Sequence, residues 1–411
     1  MRPDTLTILR CPYCGGRLTV DETVFHRFDG DAAIDAVLSC QCSQFPVVSG
    51  IAVMTVEGVA ETAREQVADG DPAGALRTMA GGGDEGAADR FAAAIASPSA
   101  TYRDVVDALG PEFAEARYFL YRFSDPTFLV ADAVVRALGQ AVLGGGGRAI
   151  DLCGGSGHLT RTMAEFTPST VLMDWTFVKL WLARRFTAPA CDAVCADAHV
   201  SLPFASGAFR LAVCSDAFHY IWTKRLLSAE MLRLIGDNGA VALTHAHNSG
   251  RDNPSAGMPL APDGYRALFE PLDSRAFSER NLLADVLAGR IDLSRRDDER
   301  SLAADPAVTI VASRRDSVFA ARPLEERRGV RGELRLNPLY DVSRTEAGAT
   351  LRLRFPSGDY ERECAACRTY LPEELTLDGS VLSAVDKSRL TEAVAALLSR
   401  RIVLDLPEGY A

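Results

Sequence analysis

The sequence has no long hydrophobic run that could span a membrane. Its most apolar stretch, FLVADAVVRALGQAVLGGGG, is interrupted by Asp132 and Arg136 and ends in glycines, well short of a bilayer span. The N-terminal residues MRPDTLTILRCPYCGG lack the apolar run and the small-residue cleavage site of a signal peptide. These absences predict a cytoplasmic protein without membrane segments.

Basic residues are also too few for a large nucleic-acid surface. The 44 Lys and Arg residues are outnumbered by 55 Asp and Glu residues, which gives a formal net charge of -11. Phosphate binding depends on clustered positive charge, so a nucleic-acid partner is disfavoured. The 411 residues, 47% of them hydrophobic, are typical of a globular protein with more than one domain.

Four of the ten cysteines lie within the first 42 residues, as Cys11-x-x-Cys14 and Cys40-x-Cys42. In a reducing compartment, two close cysteine pairs indicate a zinc site rather than disulfides, because each tight turn can place two thiolates on one side of a tetrahedron. Buried or free thiols are the alternative interpretation.

The segment around these cysteines resembles a known family. LTILRCPYCGGRLTV and LSCQCSQFPVVSGIAVM, within residues 5–56, resemble the small zinc-ribbon domain that serves as an activator subunit of RNA and protein methyltransferases. The resemblance implies one structural Zn²⁺ and a docking surface for a protein partner. It does not imply zinc catalysis, since four thiolates leave no coordination position open to water.

Residues 57–135 read as helical. Tyr118, Tyr121, Arg122 and Phe123 precede a helix that Ser124 or Asp125 could cap, with Pro126 in its first turn. These aromatic residues belong either to the core or to a lid over a cofactor and substrate.

The segment AIDLCGGSGHLTRTMAEFTPSTVLMDW, residues 149–175, predicts a buried strand, a glycine turn, a helix and a second strand that ends on an acid. Glycines at such a turn let the backbone approach a ligand closely and present N–H groups to it. The spacing does not fit the G-x-G-x-x-G turn of dinucleotide-binding folds.

The same segment resembles the first motif of S-adenosylmethionine-dependent methyltransferases, an acid followed by G-x-G-x-G. Cys153 stands in the place of the first glycine. Asp174 and Asp197 follow Asp151 at equal intervals, each long enough for a helix and a strand. The resemblance implies that Asp174 binds the ribose hydroxyls and that Asp197 and Ala198 contact the adenine. The full set of predicted cofactor-binding residues is Asp151, Gly154, Gly155, Gly157, Asp174, Trp175, Asp197, Ala198 and Ser215.

Candidate catalytic residues follow the fourth and fifth predicted strands, whose carboxyl ends face the ligand in this architecture. His219 and Tyr220 follow the fourth strand, and His245 and His247 follow the fifth. Histidine can accept a proton near neutral pH. We expect His219 to be the general base, Tyr220 to orient the acceptor and His245 to be the substitute base. For each histidine, a core or capping role is the alternative.

The predicted fold class is therefore α/β: a Rossmann-like methyltransferase sheet with an N-terminal zinc ribbon and a C-terminal α+β appendage. The predicted domains are the ribbon, a helical linker or lid region, the cofactor-binding domain and the appendage, which span residues 1–56, 57–135, 136–321 and 322–411. The appendage contains Cys364-x-x-Cys367, a pair that supplies only two metal ligands and is expected to be structural or incidental.

Three functions fit the sequence. A small-molecule methyltransferase fits the acidic charge. An RNA methyltransferase fits the zinc ribbon, although the charge and the sequence DAFHY, which lacks an Asn/Asp-Pro-Pro-aromatic motif, argue against it. The third is a protein that binds S-adenosylmethionine without transferring methyl, as a scaffold subunit or a cyclisation catalyst.

Overall fold

The structure, a computed structural model, describes residues 1–110, 113, 115–253, 257–324 and 329–411. Its N-terminal part is a small antiparallel sheet that follows one short helical turn. The elements are α1 (Pro3–Leu6), β1 (Thr19–Val20), β2 (Arg27–Asp29), β3 (Ala32–Ser39), β4 (Gln44–Val48) and β5 (Ile51–Val53).

The described residues of the next segment form mainly helices, in line with the helical reading of residues 57–135. These helices are α2 (Val59–Ala68), α3 (Pro72–Gly81), α4 (Glu85–Ile95), α5 (Tyr102–Leu109), α6 (Ala116–Tyr121) and α7 (Pro126–Val142). Helix α7 begins as expected, because the Asp125 carboxylate accepts a hydrogen bond from the Phe128 N–H and Pro126 occupies the first turn. The boundary predicted between residues 135 and 136 falls inside this continuous helix.

Strands and helices then alternate. The elements are β6 (Ala149–Leu152), α8 (His158–Met163), β7 (Thr170–Asp174), α9 (Phe177–Leu182), β8 (Asp192–Cys195), β9 (Leu211–Ser215), α10 (Lys224–Ile235), β10 (Ala240–His247), α11 (Pro262–Ala267), β11 (Asp273–Ser278), α12 (Glu279–Leu287), β12 (Arg290–Asp292), α13 (Glu299–Ala304), β13 (Ala307–Ser313) and β14 (Ala321–Pro323). The loop after β10 includes residues 254–256, which lie outside the described residues.

The central sheet has the order β8-β7-β6-β9-β10-β13-β11. Strands β6 to β10 are parallel to their neighbours, whereas β13 is antiparallel to both β10 and β11. Every residue of β6 and β7 is buried, as expected of parallel strands covered by helices on both faces. This arrangement confirms the predicted α/β, Rossmann-like class, and it brings the carboxyl ends of five strands to one edge.

The N-terminal sheet is continuous with this central sheet. Strand β5 pairs in parallel with β8, and β4, β3 and β1 extend the sheet beyond it. Leu9 and Phe45 share a hydrophobic core with Ile150 and Val171 of the central strands. The four-cysteine segment is therefore attached to the central domain through backbone hydrogen bonds and a common core.

The C-terminal part is a mixed unit of strands and helices, as the sequence predicts. It contains β15 (Glu333–Leu336), β16 (Tyr340–Arg344), β17 (Gly348–Leu353), α14 (Gly358–Glu363), β18 (Glu374–Asp378), α15 (Gly379–Asp386), α16 (Glu392–Ser399) and β19 (Val403–Leu406). Its sheets are β15-β19 and β16-β17-β18, both antiparallel. Among the described residues of the whole chain, no helix is long and apolar enough to cross a membrane.

Candidate functional site at the carboxyl edge of the sheet

A glycine turn after β6 forms one wall of the site. Cys153, Gly155 and Gly157 all have positive φ angles, of 56°, 56° and 79°. A Cβ atom on Gly154 would lie 2.4 Å from Cγ of Asp151, and one on Gly157 would lie 2.9 Å from Cβ of Ala183. These two positions therefore require glycine for packing, whereas a Cβ atom on Gly155 would make an ordinary contact of 3.5 Å with the Phe119 ring, so that its positive φ is what favours glycine there.

Asp174 joins this turn to the neighbouring strand end. It lies at the end of β7, is 6% exposed, and accepts a hydrogen bond from the Gly155 N–H (3.0 Å) through Oδ2. Its Oδ1 accepts from the Thr176 N–H at 2.8 Å. Both carboxylate oxygens are held in place, and each retains a lone pair for a further donor.

Asp151 is a fully buried carboxyl group beneath the turn. Its Oδ2 accepts a hydrogen bond from Oγ1 of Thr160 (2.6 Å), whereas within the described part of the chain Oδ1 has no hydrogen-bond partner. Burial, together with the nearby charge of Asp174, raises the pKa of Asp151 to about 7. A buried acceptor without a partner on the wall of a cavity is suited to a positively charged donor from a ligand.

The turn, both acids and the predicted catalytic strand ends face one cavity of about 890 Å³. Helix α6 and the turn after it contribute Tyr118, Phe119 and Arg122 to the walls of this cavity, so this part of the helical region covers the site. Phe123, by contrast, is buried in the core. The C-terminal unit contributes Arg362, Glu363 and Cys364. The other lining residues include Asp151, Cys153, Gly154, Gly155, Asp174, Lys179, Ser215, Asp216, Tyr220, His245 and His247.

Four predicted cofactor-binding residues are not among the described residues that line the cavity: Gly157, Trp175, Asp197 and Ala198. Gly157 packs against Ala183, as noted above, and Trp175 is 63% exposed at the end of β7. Asp197 receives hydrogen bonds from the backbone and ring nitrogens of His199, both 2.8 Å long. Ala198 is buried beside it.

An irregularity in β10 turns His245 toward the cavity. The pairing register of β10 and β13 shifts between Leu243 and Ala246, and His245 has a φ of 53°. Such bulges redirect a side chain at the end of a strand. Glu279, the first residue of α12, accepts hydrogen bonds from both the N–H and Nδ1 of His245, each 2.7 Å long. Because Nδ1 is held by Glu279, Nε2 is the ring nitrogen left for a ligand.

This pair also sets the charge of the imidazole. Burial lowers the pKa of His245, but the carboxylate of Glu279 outweighs burial and raises it to about 9. Glu279 also accepts a hydrogen bond from Oγ1 of Thr309 at 2.9 Å. Sequence reasoning missed Glu279, which lies 34 residues beyond His245 in the chain and carries no local motif.

The predicted base His219 lies behind the cavity wall. It is fully buried, and its ring stacks on that of His247 with centroids 3.5 Å apart and an interplanar angle of 11°. Burial and the adjacent His247 lower the pKa of His219 to about 3. Tyr220, 48% exposed, lines the cavity next to it. A role for His219 in proton transfer stays a prediction.

Asp216 and Arg122 form an ion pair in the wall of the cavity that sequence reasoning did not identify. Nη2 of Arg122 lies 2.9 Å from Oδ2 of Asp216, and Oδ1 of Asp216 lies 4.0 Å from Nε2 of His247. Asp216 follows β9 directly and has a φ of 51°, a conformation found at functional turns. In the sequence, only the position of Asp216 directly after a predicted strand and shortly before His219 could have indicated that it lies in the site.

The four N-terminal cysteines converge as predicted. Their Sγ atoms are 3.5 Å apart for Cys11 and Cys42, 3.8 Å for Cys14 and Cys40, and 3.5 Å for Cys40 and Cys42. Tetrahedral zinc with Zn–S bonds of about 2.3 Å places its sulfur ligands about 3.8 Å apart. The donor set and its spacing therefore fit one structural zinc ion, and the separations are too long for disulfides.

Cys364 and Cys367 are both buried. Sγ of Cys367 lies 3.3 Å from the hydroxyl of Tyr370, and the two thiols belong to the hydrophobic core of the C-terminal unit. This environment agrees with the structural or incidental role expected for the pair.

Comparison with known proteins supports the assignment of the central sheet. A family described as a methyltransferase domain matches residues 149–239, less than a quarter of the chain. The match begins at β6 and contains the glycine turn, Asp174 and Asp216. The match agrees with the strand order and supports a methyltransferase domain in the central part of the chain. The comparison with curated proteins found no match.

Solved structures share parts of this fold at low identity. A TehB-like methyltransferase from Corynebacterium glutamicum aligns over 88% of its length and 44% of this chain, at 15% identity and a TM-score of 0.33. A chain from the complex of the Haloferax volcanii Trm112 methyltransferase activator aligns over 96% of its length and 49% of this chain, at 14% identity and a TM-score of 0.37. The [4+2]-cyclase SpnF aligns over 80% of its length and 44% of this chain, at 17% identity and a TM-score of 0.33. Similarity at this level carries no information about a substrate.

Proposed function

We propose that this chain transfers the methyl group of S-adenosylmethionine to an oxygen atom of a small-molecule acceptor bound in the cavity. The observation that carries the proposal is that the glycine turn with its two acids and the His245–Glu279 pair open onto the same cavity. One wall suits the cofactor, and the other supplies a positioned imidazole.

The cofactor would be held by the β6 and β7 ends. Oδ1 of Asp151 would accept a hydrogen bond from the α-ammonium group of the cofactor. This hydrogen bond would satisfy a buried oxygen that lacks a partner among the described residues. Asp174 would accept from the ribose hydroxyls. Trp175, Asp197, Ala198 and Ser215 remain proposed contacts toward the adenine and the reacting end, and the turn residue Gly155 would allow close approach.

The acceptor would be held by the ends of β9 and β10. Glu279 fixes the His245 ring so that Nε2 can receive the proton of an acceptor hydroxyl. The sulfonium of the bound cofactor disfavours a second positive charge in the cavity, so cofactor binding shifts His245 toward its neutral, basic form. Tyr220 at the rim is proposed to orient the acceptor.

The chemistry balances with these groups. An acceptor oxygen lone pair forms the new O–CH₃ bond, the S–CH₃ electron pair returns to sulfur to give S-adenosylhomocysteine, and the hydroxyl proton passes to Nε2 of His245. Positioning of the two reactants supplies much of the acceleration in such an in-line displacement.

The walls of the cavity favour a small acceptor over RNA. Phe119 from the helical region and Cys364 from the C-terminal unit both line the cavity, so the site is bounded by three parts of the chain. The net charge of -11 also opposes phosphate binding.

The direct test is mass spectrometry of cell-extract metabolites incubated with the purified chain and S-adenosylmethionine labelled in its methyl group. We expect a labelled small molecule and an equal amount of S-adenosylhomocysteine. The matched control is the His245→Gln variant, which keeps a polar side chain but removes the base. Label in RNA would indicate the second function, and cofactor binding without labelled product would indicate a protein that does not transfer methyl.

A further inference from the structure

Asp216, His219 and His247 form a compact cluster where β9 and β10 end. One oxygen of Asp216 and one nitrogen from each imidazole all lie within 4.8 Å of one another. The two histidine rings are nearly parallel at 3.5 Å, and Nε2 of His247 lies 4.0 Å from Oδ1 of Asp216. Three potential ligand atoms from three side chains thus lie close together, and one of the stacked rings must turn about its side-chain torsions for both to reach one ion.

The His219 side chain has an unusual environment for a core histidine. It is fully buried, and neither Nδ1 nor Nε2 has a hydrogen-bond partner among the described residues. Buried polar atoms are nearly always paired, because leaving them unpaired forfeits their hydration without compensation. An imidazole that merely filled the core would donate its N–H to a carbonyl or hydroxyl oxygen, so this ring lacks a partner that a ligand could supply.

The surrounding contacts hold the cluster in place without occupying its ligand atoms. Arg122 binds Oδ2 of Asp216 at 2.9 Å and leaves Oδ1 on the side of His247. The backbone carbonyl of His219 accepts hydrogen bonds from the Met258 N–H (2.9 Å) and from Nζ of Lys224 (3.2 Å). The backbone carbonyl of His247 accepts a hydrogen bond from the Tyr265 hydroxyl (2.8 Å). The backbones are fixed, while both ring nitrogens of His219 stay without a hydrogen-bond partner among the described residues.

We propose that Asp216, His219 and His247 bind one divalent first-row transition-metal ion. Two imidazoles and one carboxylate are the donor set of many sites for zinc, iron and related ions, whereas magnesium and calcium prefer oxygen ligands alone. Ligands at about 2.1 Å around one ion lie about 3.0 to 3.4 Å apart, so the site forms when Asp216 moves slightly toward His247 and one of the two stacked rings rotates to direct its nitrogen at the ion. Because Asp216 and His247 line the cavity, the remaining coordination positions face it.

The charges around the cluster tolerate such an ion. Arg122 is paired with both Asp125 and Asp216, at 3.6 Å and 2.9 Å, and His245 is paired with Glu279. Three carboxylates therefore offset these two basic side chains. Lys224 is a further cation near the cluster, and its Nζ is held by the backbone carbonyls of His219 and Ile221.

This site rests on the proposed function and narrows its acceptor class. A hydroxyl that binds a divalent ion has a lower pKa and loses its proton more readily. The open positions would favour an acceptor with two adjacent oxygen atoms, such as a hydroxyl beside a carbonyl or a second hydroxyl. His245, on the same strand end, would receive the proton.

The test counts ions in the full-length chain. Protein stripped with a chelator under reducing conditions is reloaded with Co²⁺ and passed through a desalting column. We expect about two ions per chain, one of them giving the intense thiolate-to-cobalt absorption of the four-cysteine site. His247→Ala and, separately, Asp216→Asn should retain that absorption and hold about one ion. Circular dichroism verifies that each variant is folded.

His199→Ala is the matched control, because His199 also pairs with an aspartate but lies outside the cluster. It should hold as many ions as the wild-type chain. One ion in the wild-type chain, or two in both folded cluster variants, would overturn the proposal. Binding of S-adenosylhomocysteine, measured separately by calorimetry, distinguishes this failure from failure of the proposed function: cofactor binding with a single ion removes only the second metal site.

Discussion

The two clusters of candidate metal ligands in this chain differ in how the sequence builds them. The four cysteines come from two short turns within one small antiparallel sheet, and Cys14 and Cys42 are exposed. The Asp216–His219–His247 cluster comes from the ends of two adjacent parallel strands and is mostly buried. The first is visible as a spacing pattern, whereas the second exists only after the strands have paired.

The difference also concerns what each cluster does for the fold. The cysteine cluster lies in the small sheet whose last strand, β5, pairs with β8 of the central domain. The Asp–His cluster adds no strand or turn, since hydrogen bonds already fix its backbone. We therefore expect loss of the first to damage the fold and loss of the second to change the chemistry of the cavity.

The largest effect is expected from the cysteine cluster. Changing Cys11 and Cys14 together to serine removes two thiolates, so the chain should lose its zinc and several kcal/mol of unfolding free energy. Because β5 pairs with β8, the loss should reach the central domain and weaken cofactor binding. Zinc content and thermal unfolding, measured on protein purified without chelator, check this prediction. The control is Tyr13→Ser, a change at an exposed residue between the two cysteines, which should retain the metal. Full zinc occupancy in the double variant would argue against the assigned ligands.

The next effect concerns the cavity. Glu279→Gln keeps the size of the side chain but removes the charge that orients and polarises His245, so turnover should fall by about a hundred-fold while affinity for S-adenosylhomocysteine stays nearly unchanged. Steady-state kinetics with the identified acceptor, combined with calorimetry, separate the two quantities. Glu115→Gln, on the cavity rim beside Lys179, serves as the control carboxylate. Equal turnover in the Glu279 variant and the wild type would mean that the pair takes no part in the reaction.

The chain order of the cofactor motifs could be predicted because each lies within a single β-α-β unit. A buried strand, a glycine turn and an acid at the end of the following strand are local features, and the structure places Asp151, Gly154, Gly155 and Asp174 on one cavity wall. The continuous sheet across residue 56 could not be predicted, because the pairing of β5 with β8 joins positions more than a hundred residues apart.

The side of the cavity that His245 and His247 line was harder to predict from the sequence. The histidines after β9 and β10 lie close together, but which of them faces the cavity depends on the bulge at His245. A one-residue irregularity reverses which side chains point to a given face. Glu279 reaches His245 from α12, an element that no motif connects to β10.

A smaller effect is expected from pH. Because the pKa of Asp151 is raised to about 7 in the free protein, its carboxyl group is largely protonated below that pH and ionised above it. A cationic ammonium partner favours the ionised form, so binding of S-adenosylhomocysteine should weaken as the pH falls, by about tenfold from pH 8 to pH 6. Calorimetry across this range measures the change. Asp151→Asn should bind more weakly at pH 8 and lose this pH dependence; an unchanged slope would assign the titration to another group.

The central claim is that the cavity beside the glycine turn is an S-adenosylmethionine site. Calorimetric titration of the purified chain with S-adenosylhomocysteine tests it most directly. We expect one binding site per chain and, in Asp174→Ala, an affinity lower by roughly ten- to a hundred-fold, the range for loss of a charge-assisted hydrogen bond worth about 1.5–3 kcal/mol. Asp197→Ala, at an acid outside the described cavity lining, should have the smaller effect. No binding to the folded wild-type chain, or identical affinity in the Asp174 variant, would contradict the claim.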